Sequence, residues 1–377
     1  MCLSSGRESA CGFWGWSDSI QTKANKHFLF SVKLEAKPGG WLRRGMKIKF
    51  THNYDSIISL ENLLEAWKEF VRGKRKRKDV QEFELNLMSN IIDLHNDLTA
   101  KTYKHSPYEA FNISDPKPRS IHKASVRDRL LHHALYRTMY PFFDKIFIAD
   151  SYSCRKEKGT HKAMNKFRKF SNQVSRNHTS TAWVLKCDIK KFFASIDQNI
   201  LIALLKQYIP DEDIIWLLSE IISSFSVNLD RGLPLGNLTS QLLVNIYMNE
   251  FDQFVKHKIK AEYYIRYADD FVLLSRDKDW LVERLSQVKN FLSDSLSLKI
   301  HPDKVFIQTV ASGVDFLGWV HFPDHRVLRT VAKRRMFRNI VNKQGDENTV
   351  QSYRGLISHG NSEKLQKEIT LIENKKF

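Results

Sequence analysis

Cysteine is scarce in this chain. Four stand among 377 residues, at Cys2, Cys11, Cys154 and Cys187. None forms a CxxC pair or a Cys/His cluster at zinc spacing, and the count is low for a disulfide framework. That excludes a disulfide scaffold and a structural zinc site, and it fits a reducing, cytoplasmic compartment. Long apolar runs are also missing, so no segment reads as membrane-spanning. The opening "MCLSSGRESACGFWGW" has no charged segment followed by an apolar one, so it does not read as a secretory signal. Acidic residues are in deficit, 42 against 60 Lys and Arg, giving a formal net charge of +18 and a pI near 9.6. A field of that sign gathers polyanions. Nucleic acid is the expected partner, with a merely soluble basic protein as the alternative. Hydrophobic residues make up 42% of the chain, enough for a sizeable core.

Residues 1–45 are rich in Ser, Gly and Trp and keep no period, so they read as an N-terminal extension. Met46 could be the biological start. Helical spacing begins beyond it, at Leu60, Leu63, Leu64, Trp67, Phe70 and Val71. The run "RGKRKRK", Arg72 to Lys78, is either a contact to a nucleic-acid backbone or a solvated loop. A second helix is predicted with Phe83, Leu85, Leu87, Met88, Ile91, Ile92 and Leu94 on its apolar side. Pro107, Pro116 and Pro118 mark an extended, turn-rich stretch. Leu130, Leu131, Ala134, Leu135 and Met139 then share one face of a helix that Pro141 is expected to close. Trp183 to Ile189 predicts a buried strand, and Ser195 or Asp197 an N-cap. A Gly/Pro turn at "RGLPLGN" leads into a long helix marked by Leu242, Leu243, Ile246, Tyr247, Phe251, Phe254, Val255 and Ile259. Another helix is predicted from about Trp280 to Leu296. Short strands follow at "KVFIQTV" and "GVDFLGWV", then a basic helical tail from Arg326. The chain shows no internal repeat.

The chemistry concentrates in "YYIRYADDFVLLS", residues 263–275. Tyr263 to Ala268 and Phe271 to Leu274 predict two strands, which puts Asp269 and Asp270 at or near a hairpin tip. Aspartate is common in turns, so the pair alone says little. Its flanks are very apolar, however, and two carboxylates at the edge of a core repel each other. A divalent cation removes the conflict, and hard oxygen ligands suit Mg²⁺. Asp188, at the end of its own apolar strand, is the candidate third carboxylate. If the two strands are neighbours, Asp188 and Asp269 would flank a pair of cations, the layout for two-metal phosphoryl transfer.

In this order and spacing, "DIKKFF", "GLPLGNLTSQ", "YADD", "HPDK" and "FLGW" resemble the palm motifs of a reverse transcriptase. Upstream, "KPRSIHKASVRDRLLHHALYRTMYPFFDKIFIADSYSCRKEKGTHKAM" resembles the fingers of the bacterial group that includes group II intron and retron enzymes. The resemblance runs from about residue 50 to the end. It implies an α+β right-hand polymerase fold. Fingers with N-terminal helices would span 46–180, and a palm 181–325, its antiparallel sheet carrying the aspartates with helices behind. A small helical thumb would span 326–377.

It also implies roles. Asp188, Asp269 and Asp270 would bind two Mg²⁺ ions, with Mn²⁺ as a possible substitute, and the Ile189 carbonyl would add a ligand. Phe193 would close against the sugar 2′ position, unless it is ordinary core. Gly236 would let backbone approach the nucleotide, with Leu235 and Gln241 beside it. Arg119 and Lys123 would meet the triphosphate. Arg127, Arg129, Arg155 and, in the thumb, Lys333, Arg334 and Arg335 would meet nucleic acid. Lys304 would protonate pyrophosphate, unless it is a solvated turn lysine. The implied partners are template RNA, an RNA/DNA hybrid and deoxynucleotide triphosphates, with no membrane.

Two departures refine this. Where most of the superfamily has Gln-Gly and then Ser-Pro, this chain has Leu235-Gly236 and Ser240-Gln241. The pattern "LGNLTSQ" is similar to reverse transcriptases of diversity-generating retroelements, which miscopy template adenines and work with a small, basic, pentameric accessory protein. Leu235 cannot form the hydrogen bond that Gln would supply to the nucleotide. The stretch after Gly318 leaves room for a small thumb, but not for an RNase H domain or a maturase plus endonuclease. The rival readings are a retron-like or phage-defence reverse transcriptase, and a catalytically inactive RNA-binding remnant.

Overall fold

The computed structural model describes residues 48–114 and 118–374. The predicted extension 1–45, with Cys2 and Cys11, lies outside the described residues, as do Met46 and Pro116. Among the described residues no helix is long and apolar enough to cross a membrane.

The N-terminal helices are α1 (Tyr54–Ile58), α2 (Leu60–Val71), α3 (Lys78–Leu85) and α4 (Leu87–Thr99). Ser59 caps α2 by accepting from the Asn62 amide, and Leu63, Trp67, Phe70 and Val71 form its buried stripe. The single helix expected over Phe83 to Leu94 is instead two. Asn86 leaves helical geometry at φ −118° and ψ 38°, which resets the phase. Ile91, Leu94 and Leu98 become the buried stripe of α4, while Leu85, Met88 and Ile92 face outward. A hairpin of β1 (Glu109–Ile113) and β2 (Arg119–Lys123) follows, then α5 (Val126–Ile146). Pro141 does not close α5. The helix runs through it despite the missing N–H, and Phe143 beyond it packs edge-on against Tyr208.

The centre is a four-stranded antiparallel sheet in the order β4-β5-β3-β6. Its strands are β3 (Trp183–Asp188), β4 (Tyr264–Tyr267), β5 (Asp270–Ser275) and β6 (Phe306–Thr309). Alternation along each strand splits the side chains between two cores. Leu185, Cys187, Tyr264, Phe271 and Leu273 join the large core, with α10 (Leu238–His257) and α11 (Lys278–Leu296). Val184, Ile265, Val272 and Leu274 join the other, with Phe167 and Phe170 of α6 (Thr160–Val174). The short α7 (Phe192–Ser195), α8 (Gln198–Tyr208) and α9 (Glu212–Ser223) stand between β3 and α10 in the chain. Asp197, not Ser195, caps α8 by accepting from the Ile200 amide.

The C-terminal part has a three-stranded sheet, β7 (Val314–Phe316), β8 (Trp319–His321) and β9 (Arg326–Leu328). Three helices follow, α12 (Thr330–Asn342), α13 (Glu347–Ile357) and α14 (Glu363–Asn374). They share a core of Trp319, Leu328, Met336, Ile340, Val350, Ile357 and Ile369, which Met164 of α6 joins. The His161 and His359 rings stack at 3.6 Å across the same junction. Gly360 lets the link between α13 and α14 lie close against this sheet. A Cβ there would overlap the Trp319 ring and crowd the Arg326 carbonyl. Gly360→Ala should destabilise this part by about 1–3 kcal/mol. Thermal denaturation followed by tryptophan fluorescence would show it, and an unchanged transition would refute the packing assigned to Trp319.

Candidate active site

The register of β3 against β5 builds the site. Leu185 faces Leu273, Cys187 faces Phe271, and the terminal pair is Asp188 with Asp270. Asp270 is thus the first residue of β5. Tyr267 pairs with Asp270, so Ala268 and Asp269 make the two-residue turn between β4 and β5. Ala268 adopts a left-handed φ of 56°. The Asp269 carbonyl accepts from the Ile189 amide at 3.2 Å, which joins the turn to the end of β3. Ile189 is buried at 1% exposure.

Burial raises the Asp269 carboxyl first, and the negative charges of Asp270 and Asp188 add to it. Together they outweigh Lys304 and push its pKa up to about 6. Two lysines answer the other carboxylates. Lys304 Nζ donates to Asp188 Oδ1 at 3.0 Å. The turn Pro302–Lys304 that carries it is capped by His301, whose amide donates to the Asp188 carbonyl at 2.8 Å. Lys186 Nζ lies 3.8 Å from Asp270 Oδ1. Sequence reasoning passed over Lys186. Its signal is the strand period, since two residues before Asp188 is the same face of β3. Among the described residues no three His, Cys, Asp or Glu side chains converge tightly enough to hold an ion by themselves.

A loop is joined to the segment that follows β3. The Phe193 carbonyl accepts from the Leu233 amide at 2.9 Å, and the half-buried Phe193 ring meets Phe192 edge-on. The Leu235 carbonyl accepts from the His122 amide at 3.0 Å, and Asn237 Nδ2 donates to the His122 carbonyl at 2.9 Å. The β1–β2 hairpin is therefore stitched to the loop. Gly236 is required here. Its φ is +109°, and a Cβ would come within 2.8 Å of Ile121. Gly236 and Gln241 line a cavity of about 400 Å³, together with Phe70, Phe111, Lys74, Arg77, Lys123 and Arg129. His132 lies on its wall with neither ring nitrogen hydrogen-bonded. Burial pushes that imidazole down to about 3, so it is neutral.

The structure scatters the remaining predicted cations. Arg119 is exposed at the start of β2. Lys123 pairs with Asp79 at 3.0 Å and Glu109 at 3.1 Å, and Arg129 with Asp79 at 2.6 Å. Arg127 pairs with Asp97. Arg155 is buried, at 4% side-chain exposure. It bonds Asp144 and the carbonyls of Ile148 and Ser151, which is a structural setting. Lys333, Arg334 and Arg335 lie on α12, away from the aspartates in sequence. Lys333 pairs with Glu368, and Arg334 is exposed.

Because the folded chain raises Asp269, its charge opposes folding. The effect is absent well below the ordinary carboxylate value of 3.8, grows with pH and is complete above about 6. Asp269→Asn should therefore stabilise the metal-free protein at pH 7.5 by about 1–3 kcal/mol and do nothing near pH 3.5. Denaturant melts at the two pH values would show this. Equal stability of both proteins at pH 7.5 would contradict it.

Residues 112–321, more than half of the chain, match the family described as reverse transcriptase (RNA-dependent DNA polymerase). The chain is 26% identical over 276 residues to Protein YkfC of Escherichia coli (strain K12), covering 63% of this chain and 70% of that one. It is 23% identical over 308 residues to the group II intron-encoded protein LtrA of Lactococcus lactis subsp. cremoris, covering 62% of this chain and 49% of LtrA. An uncharacterized 91 kDa protein in a cob intron of Schizosaccharomyces pombe is 23% identical over 260 residues, covering 67% of this chain and 31% of that one. The matches thus span half or less of both intron-borne relatives. On the strength of the family match, the chain belongs to the reverse transcriptase family of RNA-dependent DNA polymerases.

Proposed function

We propose that the protein copies a template RNA into cDNA by two-metal nucleotidyl transfer. The observation that supports this most is the pairing of Asp188 with Asp270, beside an Asp269 carboxyl pushed up to about 6. Carboxylates crowded this way and partly answered by lysines suit a hard divalent cation. Among the described residues too few converge for an all-protein cage, which suits Mg²⁺, whose remaining ligands come from substrate phosphates. Asp188, Asp269, Asp270 and the Ile189 carbonyl would hold it. Two Mg²⁺ ions, or Mn²⁺ in their place, would activate the primer hydroxyl and stabilise pyrophosphate as it leaves.

The chain's own groups do the rest. Arg119 is exposed on the hairpin that is stitched to the loop, and it takes the triphosphate. Phe193 and Gly236 shape the sugar and base positions. Lys304, with 44% of its side chain exposed, holds Asp188 and presents its ammonium proton to the departing pyrophosphate. The cation-rich cavity by Gln241 accepts template RNA. The exposed side of α12 follows the RNA/DNA duplex with Arg334.

The finer role is mutagenic copying at template adenines, within a diversity-generating retroelement and with a small basic pentameric partner. Leu235 and Gln241 support it. Leu235 offers only its carbonyl to the hairpin and no polar side chain to a nucleotide. A retron-like or phage-defence role would share the same centre.

Purified protein given an RNA template, a DNA primer, deoxynucleotides and Mg²⁺ should extend the primer, and Asp269→Asn should extend it at least 1,000-fold more slowly. No extension under any priming condition would leave an RNA-binding protein. Sequencing the cDNA tests the finer role. Errors should concentrate opposite template adenine, and Leu235→Gln should reduce them. An error spectrum that Leu235→Gln leaves unchanged would count against it.

A further inference from the structure

Arg266 sits in the interior of β4 at 1% exposure. Its guanidinium forks onto Asp252 of α10, Nε to Oδ1 at 2.8 Å and Nη2 to Oδ2 at 2.7 Å. Asp252 is fully buried and also accepts from the Tyr264 hydroxyl at 2.7 Å. The third nitrogen, Nη1, donates to Asn245 Oδ1 and to the Ala268 carbonyl, each at 3.2 Å. Ala268 immediately precedes Asp269. A fork anchored on α10 therefore reaches the peptide from which Asp269 departs.

Two features here work against stability. A buried ion pair is often no better than an apolar pair of the same volume. A residue with a Cβ is disfavoured at the φ of 56° that Ala268 holds. One function explains both, since the guanidinium grips the carbonyl of the strained turn. Asn245 carries the link further. Its Nδ2 donates to the Gln241 carbonyl at 3.2 Å and the Ser153 carbonyl at 3.0 Å. The Arg266 backbone is fixed too, its amide donating to the Asp150 carbonyl and its carbonyl accepting from the Tyr152 amide, both at 3.0 Å.

We propose that Arg266 is a positioning residue for Asp269. It sets the turn through the Ala268 carbonyl, and through Asn245 it holds that turn in register with α10, whose first turns carry Gln241. Its own charge is neutralised by Asp252, and it does not touch the reacting atoms. The inference rests on the polymerase reading above.

Arg266→Lys keeps the charge and loses the fork. The double variant Arg266→Met with Asp252→Leu removes the pair without leaving a lone charge. Each is compared with wild type by thermal melting, by Mn²⁺ binding to the free protein in electron paramagnetic resonance, and by kcat and KM for primer extension. Both variants should melt near wild type. They should bind Mn²⁺ about 10-fold more weakly and lose 10- to 100-fold in kcat, with duplex affinity unchanged. A folded variant with wild-type Mn²⁺ affinity and kcat overturns the proposal. Should neither variant fold, Asn245→Ala carries the test, because it leaves the Arg266–Asp252 pair whole. A 3- to 10-fold loss of kcat with weaker Mn²⁺ binding supports the proposal, and no change overturns it. If wild type extends no primer at all, the polymerase reading fails, while the Mn²⁺ comparison still judges Arg266.

Discussion

Six consecutive antiparallel pairs join β3 to β5, and the last of them sets Asp188 opposite Asp270. The rest of the site depends on that register. A slip of one residue would turn Leu185 and Cys187 out of the large core and put both aspartates on the wrong face. The apolar alternation that builds the sheet is therefore also what aims the carboxylates. The turn of Ala268 and Asp269 follows from it, because Tyr267 pairs with Asp270 and leaves only two residues to close the hairpin.

The consequence is a centre under electrostatic tension. Burial and two neighbouring carboxylates raise Asp269, while Lys304 and Lys186 offset the charge on Asp188 and Asp270. Around it the framework is over-determined. Asp188 is held through its backbone by His301, the turn by Arg266, and the loop at Leu235 to Asn237 by the β1–β2 hairpin. Under the function proposed above, the stability that such crowding costs the free protein would be returned when cations and phosphates bind.

Much of this was legible in the sequence, for physical reasons. Short apolar runs marked β3 and β5, and like charges between apolar flanks marked the hairpin as chemical. The breaks in the reading have equally local causes. Asn86 split one predicted helix by leaving helical φ and ψ, so Leu85 and Met88 changed sides. Pro141 lacks a donor but lies on the exposed side of α5, and Phe143 beyond it still packs against Tyr208, so α5 continued through it. Long polar side chains were the least legible. The bonding of Arg155 to Asp144, of Lys123 to Asp79 and of Arg266 to Asp252 is set by which helix packs where. The charge in "YYIRYADD" nonetheless carried a signal. An arginine in a fully apolar strand needs a buried acid, and Asp252 on α10 supplies it.

The central claim is that Asp188, Asp269 and Asp270 act as one cation-holding unit, weak in the free protein and completed by nucleotide and duplex. Counting Mn²⁺ by electron paramagnetic resonance, in protein bound to an RNA/DNA duplex and a non-hydrolysable deoxynucleotide, tests it most directly. The account predicts two ions per chain in that complex, with both lost in Asp188→Asn. No bound ion in the wild-type complex, or an unchanged count in Asp188→Asn, would contradict it.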